Sequence, residues 1–234
     1  MPTWITHLMI ADRVLEVIPK LDRRGFCVGN IAPDCNAENK TLMQFAPSKE
    51  ITHWVSADRK DLLDYERFYD KYIASRKQEI DTEQELSFLL GYYAHLIVDA
   101  EFQRYICDTD RVASVWNRIK RHPILSYKAN GMTESWNSVN KVINRNERMK
   151  DIYTIEAEYL DEHPDSGYLT EILELKNFPN YIDYLREGAI VRNIGIRGYL
   201  PQKELGEFPF IAITREEYST FLDIATEHII SKFE

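Results

Sequence analysis

A histidine and an aspartate stand four residues apart in an apolar run, and this run limits what the chain can fold into. It covers Gly91–Ala100, with the sequence Gly-Tyr-Tyr-Ala-His-Leu-Ile-Val-Asp-Ala. Positions four apart share one face of an α-helix, so His95 and Asp99 point the same way. A helix that is apolar on nearly every side is buried. A buried carboxylate needs a positive neighbour, and a metal ion would satisfy both side chains at once.

Three segments carry the strongest helix signals. An apolar stripe with helical spacing predicts a first helix over about residues 5–18, just before a proline. A capping box, Thr-Glu-Gln-Glu, opens the buried helix, which we expect over about 82–106. A second capping box, Thr-Arg-Glu-Glu, predicts a last helix over about 214–232.

Weaker patterns complete the expected all-α fold, a multi-helix bundle around a metal site. They predict further helices at 55–78, 108–121, 133–161 and 168–191. Residues 22–52 show no sustained period and carry Gly25, Gly29, Pro33 and Pro47, so we expect a long loop there. Residues 192–213 are expected to form a loop or a small hairpin. We expect residues 1–234 to form a single domain, with a metal-site core over about 1–106 and C-terminal helices over about 107–234 packed on it.

Composition narrows the class of protein. The chain has 234 residues with 44% hydrophobic residues, and no run approaches the length of a membrane span. The N-terminus lacks the pattern of a secretory signal, and three cysteines are few and odd in number, which is typical of reduced thiols. We therefore expect a cytoplasmic protein without a transmembrane segment. The net charge of −9 argues against nucleic acid as a partner.

Three more residues join the central pair as candidate metal ligands. His7 lies in the first predicted helix, Asp34 follows a proline in the predicted loop, and His53 stands before the next predicted helix. Three imidazoles and two carboxylates suit zinc or a similar divalent cation. The alternative for His95 and Asp99 is a buried hydrogen-bonded pair without metal. The other three have surface or capping roles as alternatives.

In its order of residues, the chain resembles the zinc-dependent phospholipase C family, an all-α group of metal hydrolases related in fold to single-strand-specific zinc nucleases. The matching pieces are His7, Pro33-Asp34, His53 and the pair His95 and Asp99, within roughly the first 105 residues. The resemblance implies that these side chains bind zinc. It also implies that Asp34 lies against the attacking water, as ligand or base.

The chain departs from that family at two further sets of ligands. Three-zinc members use the amino group of a processed N-terminal tryptophan, whereas Trp4 here follows three other residues. Those members also carry another histidine and an HxxxE pair after the central motif. Here Gln103 and Tyr105 follow Asp99, and none of the later histidines has a glutamate four residues on. We therefore expect one or two zinc ions, or another divalent cation, and not three.

The sequence thus predicts a metal-dependent hydrolase of phosphoric esters, with a small-molecule or phospholipid phosphodiester as substrate and Asp34 helping to activate water. One alternative is a non-catalytic helical scaffold or binding protein whose residual metal site stabilises the fold. An HD-type phosphohydrolase ranks last, because the chain has no adjacent His-Asp dipeptide.

Overall fold

The computed structural model describes residues 2–39, 44–55 and 63–234, and over these residues the predicted all-α class is confirmed. The helices are α1 (Trp4–Val17), α2 (Arg23–Gly29), α3 (Lys49–Thr52), α4 (Tyr65–Tyr69), α5 (Glu83–Ile106), α6 (Thr109–Arg121), α7 (Pro123–Lys128), α8 (Trp136–Val142), α9 (Arg145–Glu162), α10 (Ala189–Arg197) and α11 (Arg215–Phe233). A 3₁₀ turn covers Ala32–Asp34, and π-helical turns cover Asp70–Ala74 and Tyr168–Ile172. Strands β1 (Ala37–Asn39) and β2 (Gln44–Ala46) pair antiparallel.

The helices with strong local signals lie where the sequence predicts them. α1, α5, α6 and α11 agree with the predicted helices to within a few residues at each end. The hydroxyl of Thr82 accepts a hydrogen bond from the main-chain N–H of Glu85 at 3.1 Å, and Thr214 does the same for Glu217 at 3.1 Å. Both capping boxes therefore begin their helices as predicted.

The predicted loop over 22–52 is wrong. It contains α2, the 3₁₀ turn, both strands and α3. Asp22 caps α2 by accepting from the N–H of Gly25 at 2.6 Å. The glycines that suggested a loop are instead needed inside the helix, because its backbone lies directly against α5.

Three other predicted segments need correction. Over 55–78, Val55 bridges Leu63 and only 65–74 is helical, while part of the predicted helix, 56–62, lies outside the described residues. Over 133–161 there are two helices, because Asn144 caps α9 with its side chain. Over 168–191, helix is confined to the π turn and the start of α10, because the aromatic side chains between them pack against α5. α10 continues to Arg197, and residues 198–213, all described, contain no strand.

The chain divides into two compact units. Unit 1 comprises Met1–Ala100, Pro164–Tyr199 and Ala225–Glu234, and unit 2 comprises Glu101–His163 and Leu200–Ile224. A hydrophobic core in unit 2 is built around Val115, Trp116 and Ile119 of α6, which are 0–2% exposed. The single domain and its division near residue 106 stay predictions. Of the helices described, none has the length and apolar character to cross a membrane.

In unit 1, α2 crosses α5 at two glycines. A Cβ atom added to Gly29 would lie 2.1 Å from the carbonyl oxygen of Phe88, and one added to Gly91 would lie 2.2 Å from that of Phe26. Only glycine allows two helix backbones to approach this closely. The close approach brings the end of α2, at Asn30, against the middle of α5, where His95 lies.

Candidate metal centre

The structure brings all five predicted site residues together inside unit 1. His7 projects from the first turns of α1, Asp34 ends the 3₁₀ turn, His53 follows α3, and His95 and Asp99 lie one turn apart on α5. All five are buried, with exposed fractions from 0% for His7 and His95 to 8% for Asp34.

The two oxygens of Asp99 face different histidines. Its Oδ1 lies 3.6 Å from Nε2 of His7. Its Oδ2 lies 3.7 Å from Nε2 of His53 and 3.8 Å from Nε2 of His95. The rings of His7 and His95 are stacked, with centroids 3.9 Å apart and planes within 4°. Three imidazole nitrogens therefore converge on one carboxylate.

These distances decide against a directly hydrogen-bonded cluster. A good N–H···O hydrogen bond measures about 2.7–3.2 Å, and every His–Asp99 contact is longer. Among the residues described, the Nε2 atoms of His7, His53 and His95 and the Oδ1 of Asp99 are buried without a hydrogen-bond partner. Native proteins rarely leave such atoms unsatisfied, so this group requires a further component.

The orientation of His95 is set by a main-chain carbonyl. Its Nδ1 lies 2.7 Å from the oxygen of Asn30. A carbonyl oxygen only accepts, so Nδ1 carries the proton and Nε2 presents a lone pair. Burial and the neighbouring His7 lower the pKa of His95 to about 3, so the ring is neutral at pH 7. A metal-binding histidine has this arrangement, in which the second nitrogen donates to a carbonyl.

His53 is held in a comparable way. Its Nδ1 lies 2.9 Å from the hydroxyl of Thr52. When Thr52 accepts from Nδ1, Nε2 presents a lone pair, which is the arrangement that metal binding requires.

A chain of hydrogen bonds fixes the backbone on either side of His53. The indole of Trp54 donates to the hydroxyl of Tyr184 at 3.1 Å, which donates to the hydroxyl of Tyr92 at 2.8 Å, which donates to the carbonyl of Thr52 at 2.5 Å. Trp54 has a φ of 51°, in the left-handed region that residues other than glycine rarely adopt. Strained backbone of this kind clusters at functional sites.

Asp34 has different partners on its two oxygens. Oδ2 accepts from the indole nitrogen of Trp4 at 3.2 Å. Oδ1 lies 3.5 Å from Nε2 of His53 and 3.4 Å from Nζ of Lys49. Burial works to raise the pKa of Asp34, but the contact with His53 and the electrostatic effects of His95, His53 and Lys49 outweigh burial and lower the pKa well below its ordinary value. Asp34 is therefore a carboxylate at neutral pH.

The donor set fits a divalent cation. Donor atoms of His7, His95 and Asp99 lie within 4.8 Å of one another, and so do those of Asp34, His53 and His95. A zinc ion lies about 2.0–2.1 Å from such atoms, so neighbouring ligands of a tetrahedral ion are roughly 3.4 Å apart. Three of the separations, His53–Asp34 at 3.5 Å, His53–Asp99 at 3.7 Å and His95–Asp99 at 3.8 Å, are close to this value.

The comparisons agree with this chemistry. Residues 6–101 match the family model described as zinc dependent phospholipase C. All five residues lie inside the matched part, which agrees with the predicted extent of the resemblance. No curated protein and no solved structure matches the chain.

Sequence reasoning missed several residues that orient this group. Asn30 acts through its main-chain oxygen, which leaves no signal in the sequence. The indole of Trp4 contacts Asp34, whereas only the amino group of this residue was considered. Lys49 had a detectable signal, because it stands four residues before His53 at helical spacing.

Proposed function

We propose that this protein is a metal-dependent hydrolase of phosphoric esters that acts on phosphodiesters, as a phospholipase C does. The observation that carries the proposal is the convergence of buried donors without hydrogen-bond partners on the Asp99 carboxylate. The match of this part of the chain to the zinc-dependent family supports it. The substrate is a small-molecule or phospholipid phosphodiester, and the cofactor is zinc, with other divalent cations as alternatives.

In this proposal one ion would be held by Asp34, His53, His95 and Asp99. A second ion would have His7 and Oδ1 of Asp99, so its set of donors from the protein is smaller. One or two ions are therefore expected. A divalent cation at such a site polarises a phosphoryl oxygen and makes water acidic enough to attack phosphorus near neutral pH.

Neighbouring residues orient the side chains that would bind the ions. Asn30 holds His95, the Thr52 hydroxyl holds His53, and the Trp4 indole holds one oxygen of Asp34. We assign Asp34 the additional role of helping to take the proton from the attacking water. Its lowered pKa makes it a weak base, so we expect this role to be smaller than its role as a ligand.

Turnover of bis(4-nitrophenyl) phosphate and of phosphatidylcholine vesicles by zinc-loaded protein tests the proposal. We expect hydrolysis by the wild type and its loss in Asp99→Asn. The matched control is Asp223→Asn, an exposed carboxylate on α11, which should keep full activity. Full activity in Asp99→Asn would contradict the proposal. The two substrates separate a soluble from a lipid phosphodiester.

The second candidate is a helical scaffold or binding protein with a structural metal site. Burial of all five residues favours it, because structural zinc sites are closed whereas catalytic sites keep an open position. If it is correct, chelation lowers the unfolding temperature, while activated diesters are not turned over with zinc, manganese or magnesium.

A further inference from the structure

A lysine stands at the water-facing edge of the candidate metal centre. Lys49 is the first residue of α3, and its Nζ lies 3.4 Å from Oδ1 of Asp34. The side chain of Lys49 is 43% exposed, compared with 11% for Asp34 and 4% for His53. Of these three side chains, Lys49 is the one that reaches solvent next to Asp34.

The contact of Lys49 competes with the proposed ligand role of Asp34. Oδ1 is the oxygen that faces His53, and Trp4 occupies the other oxygen. An ammonium group and a divalent cation repel each other, so an ion on Oδ1 would weaken the contact of Nζ with this oxygen. A lysine side chain is long and flexible and carries three donors and no acceptor. With an ion on Oδ1, Nζ could therefore turn toward another anionic group near Asp34.

The reaction creates the charge that a released ammonium group would bind. In hydrolysis of a phosphodiester, the water oxygen bonds to phosphorus and the bond to the alcohol oxygen breaks with its electron pair. One water proton ends on that alcohol oxygen, and the other dissociates from the phosphate monoester. The phosphoryl group begins with one negative charge and ends with two, so a fixed cation stabilises the transition state and product more than the substrate.

We propose that Lys49 is the phosphate-binding residue of this site, donating from Nζ to a non-bridging phosphoryl oxygen. This inference rests on the proposed hydrolase function. In this inference the site recognises the anionic phosphoryl group of the substrate, and the alcohol part of the ester is not specified. The main-chain oxygen of Asp34 accepts from Arg197 at 3.2 Å, which keeps the turn in place when Lys49 moves.

The test compares Lys49→Met and Lys49→Arg. The control is Lys20→Met, which changes an exposed lysine in the turn after α1. Zinc content is measured first, and then the binding of inorganic phosphate to zinc-loaded protein by calorimetry. We expect Lys49→Met to keep its zinc and bind phosphate roughly tenfold more weakly, which is typical of one lost charge-assisted hydrogen bond. Lys49→Arg should recover part of the affinity, and Lys20→Met should match the wild type.

Kinetics of diester hydrolysis provide the second readout. Loss of Lys49 should lower kcat more than it raises KM, because the interaction strengthens as charge develops. If Lys49→Met binds phosphate like the wild type and changes only its affinity for zinc, Lys49 is merely a partner of Asp34 and the inference is wrong. If phosphate binding depends on Lys49 but the wild type hydrolyses no diester, the hydrolase function fails while the anion site stands. A wild type that binds no zinc overturns both.

Discussion

Two buried aspartates of unit 1 differ in their hydrogen-bond partners. Asp12 on α1 is 9% exposed and Asp99 on α5 is 5% exposed. Asp12 accepts from the Ser166 hydroxyl at 2.7 Å and from the main-chain N–H of Gly167 at 2.9 Å, and Arg23 lies at 3.2 Å. Among the residues that the structure describes, the groups facing the Asp99 carboxylate are imidazole nitrogens at 3.6–3.8 Å.

We interpret Asp12 as a structural carboxylate and Asp99 as a candidate metal ligand. Burial alone does not distinguish the two, and neither does their position on a long helix. What distinguishes them is that the fold supplies hydrogen-bond donors within 2.9 Å to Asp12, whereas the imidazole nitrogens that face Asp99 lie beyond hydrogen-bonding distance. A buried charge without donors persists in a native structure when another component satisfies it.

The largest effect should come from exchanging each carboxylate for an amide. We expect Asp99→Asn to weaken zinc binding by more than about 100-fold, since loss of an outer partner of a ligand alone costs about 10–100-fold. Asp12→Asn should bind zinc like the wild type. Elemental analysis of untagged protein after dialysis against a limited zinc buffer measures both. Equal zinc content in the two variants would contradict the assignment of Asp99, and not Asp12, as a metal ligand.

The same variants should differ in stability. Asp12→Asn should lose roughly 1–3 kcal/mol of unfolding free energy with or without chelator, because an amide leaves donors unsatisfied. Zinc should stabilise the wild type by about 2.7 kcal/mol when free zinc exceeds its Kd 100-fold, and should leave Asp99→Asn nearly unaffected. Denaturant unfolding with and without chelator measures both effects. Zinc stabilisation of Asp99→Asn equal to that of the wild type would contradict this account.

Acid should destabilise the metal-free protein through His95. Its pKa is about 3 when folded, against 6.5 for the ordinary side chain, so between these values the unfolded chain binds more protons. The unfolding free energy that depends on His95 is therefore fully present above about pH 6.5 and falls as the pH drops toward about 3, by on the order of 5 kcal/mol. Chelator-treated wild type and His95→Gln, unfolded in denaturant at a series of pH values, test this. An unchanged slope between pH 4 and 6.5 in His95→Gln would show that other groups cause the acid lability.

The smallest expected effects concern the helix crossing that aims His95. Gly29→Ala should cost roughly 1–3 kcal/mol, because its Cβ would lie 2.1 Å from a main-chain oxygen and the backbones must separate. Zinc affinity should fall with it, since Asn30 would move. The control is Gly195→Ala in α10, where an added Cβ would lie within 4 Å of none of the described neighbouring atoms. This substitution should be neutral or stabilising. If Gly29→Ala leaves stability and zinc affinity unchanged, the close approach of α2 to α5 is not what positions His95.

Helices with local signals were predictable, and those fixed by tertiary contacts were not. α5 and α11 begin at capping boxes, which act within four residues. α2 was missed because Gly25 and Gly29 were interpreted as helix breakers, although they permit contact with α5. The segment before α10 was predicted as helix because nothing in its local sequence shows that Phe178 packs against Phe88.

The candidate site was more predictable than the fold around it. The order of His7, Asp34, His53, His95 and Asp99 along the chain was enough to nominate all five, and the structure places them together. Their surroundings could not be derived in the same way. Main-chain groups and neighbours distant in sequence supply the contacts that orient each ring, and such contacts depend on how the helices pack.

The most direct test of the metal centre is anomalous X-ray scattering at the zinc absorption edge from crystals of the zinc-loaded protein. We expect the strongest peak among Asp34, His53, His95 and Asp99, with any second peak between His7 and Asp99. Well-ordered crystals of zinc-treated protein with no peak among these side chains would show that the cluster is a packed group of polar residues. The proposed hydrolase would then lose its cofactor.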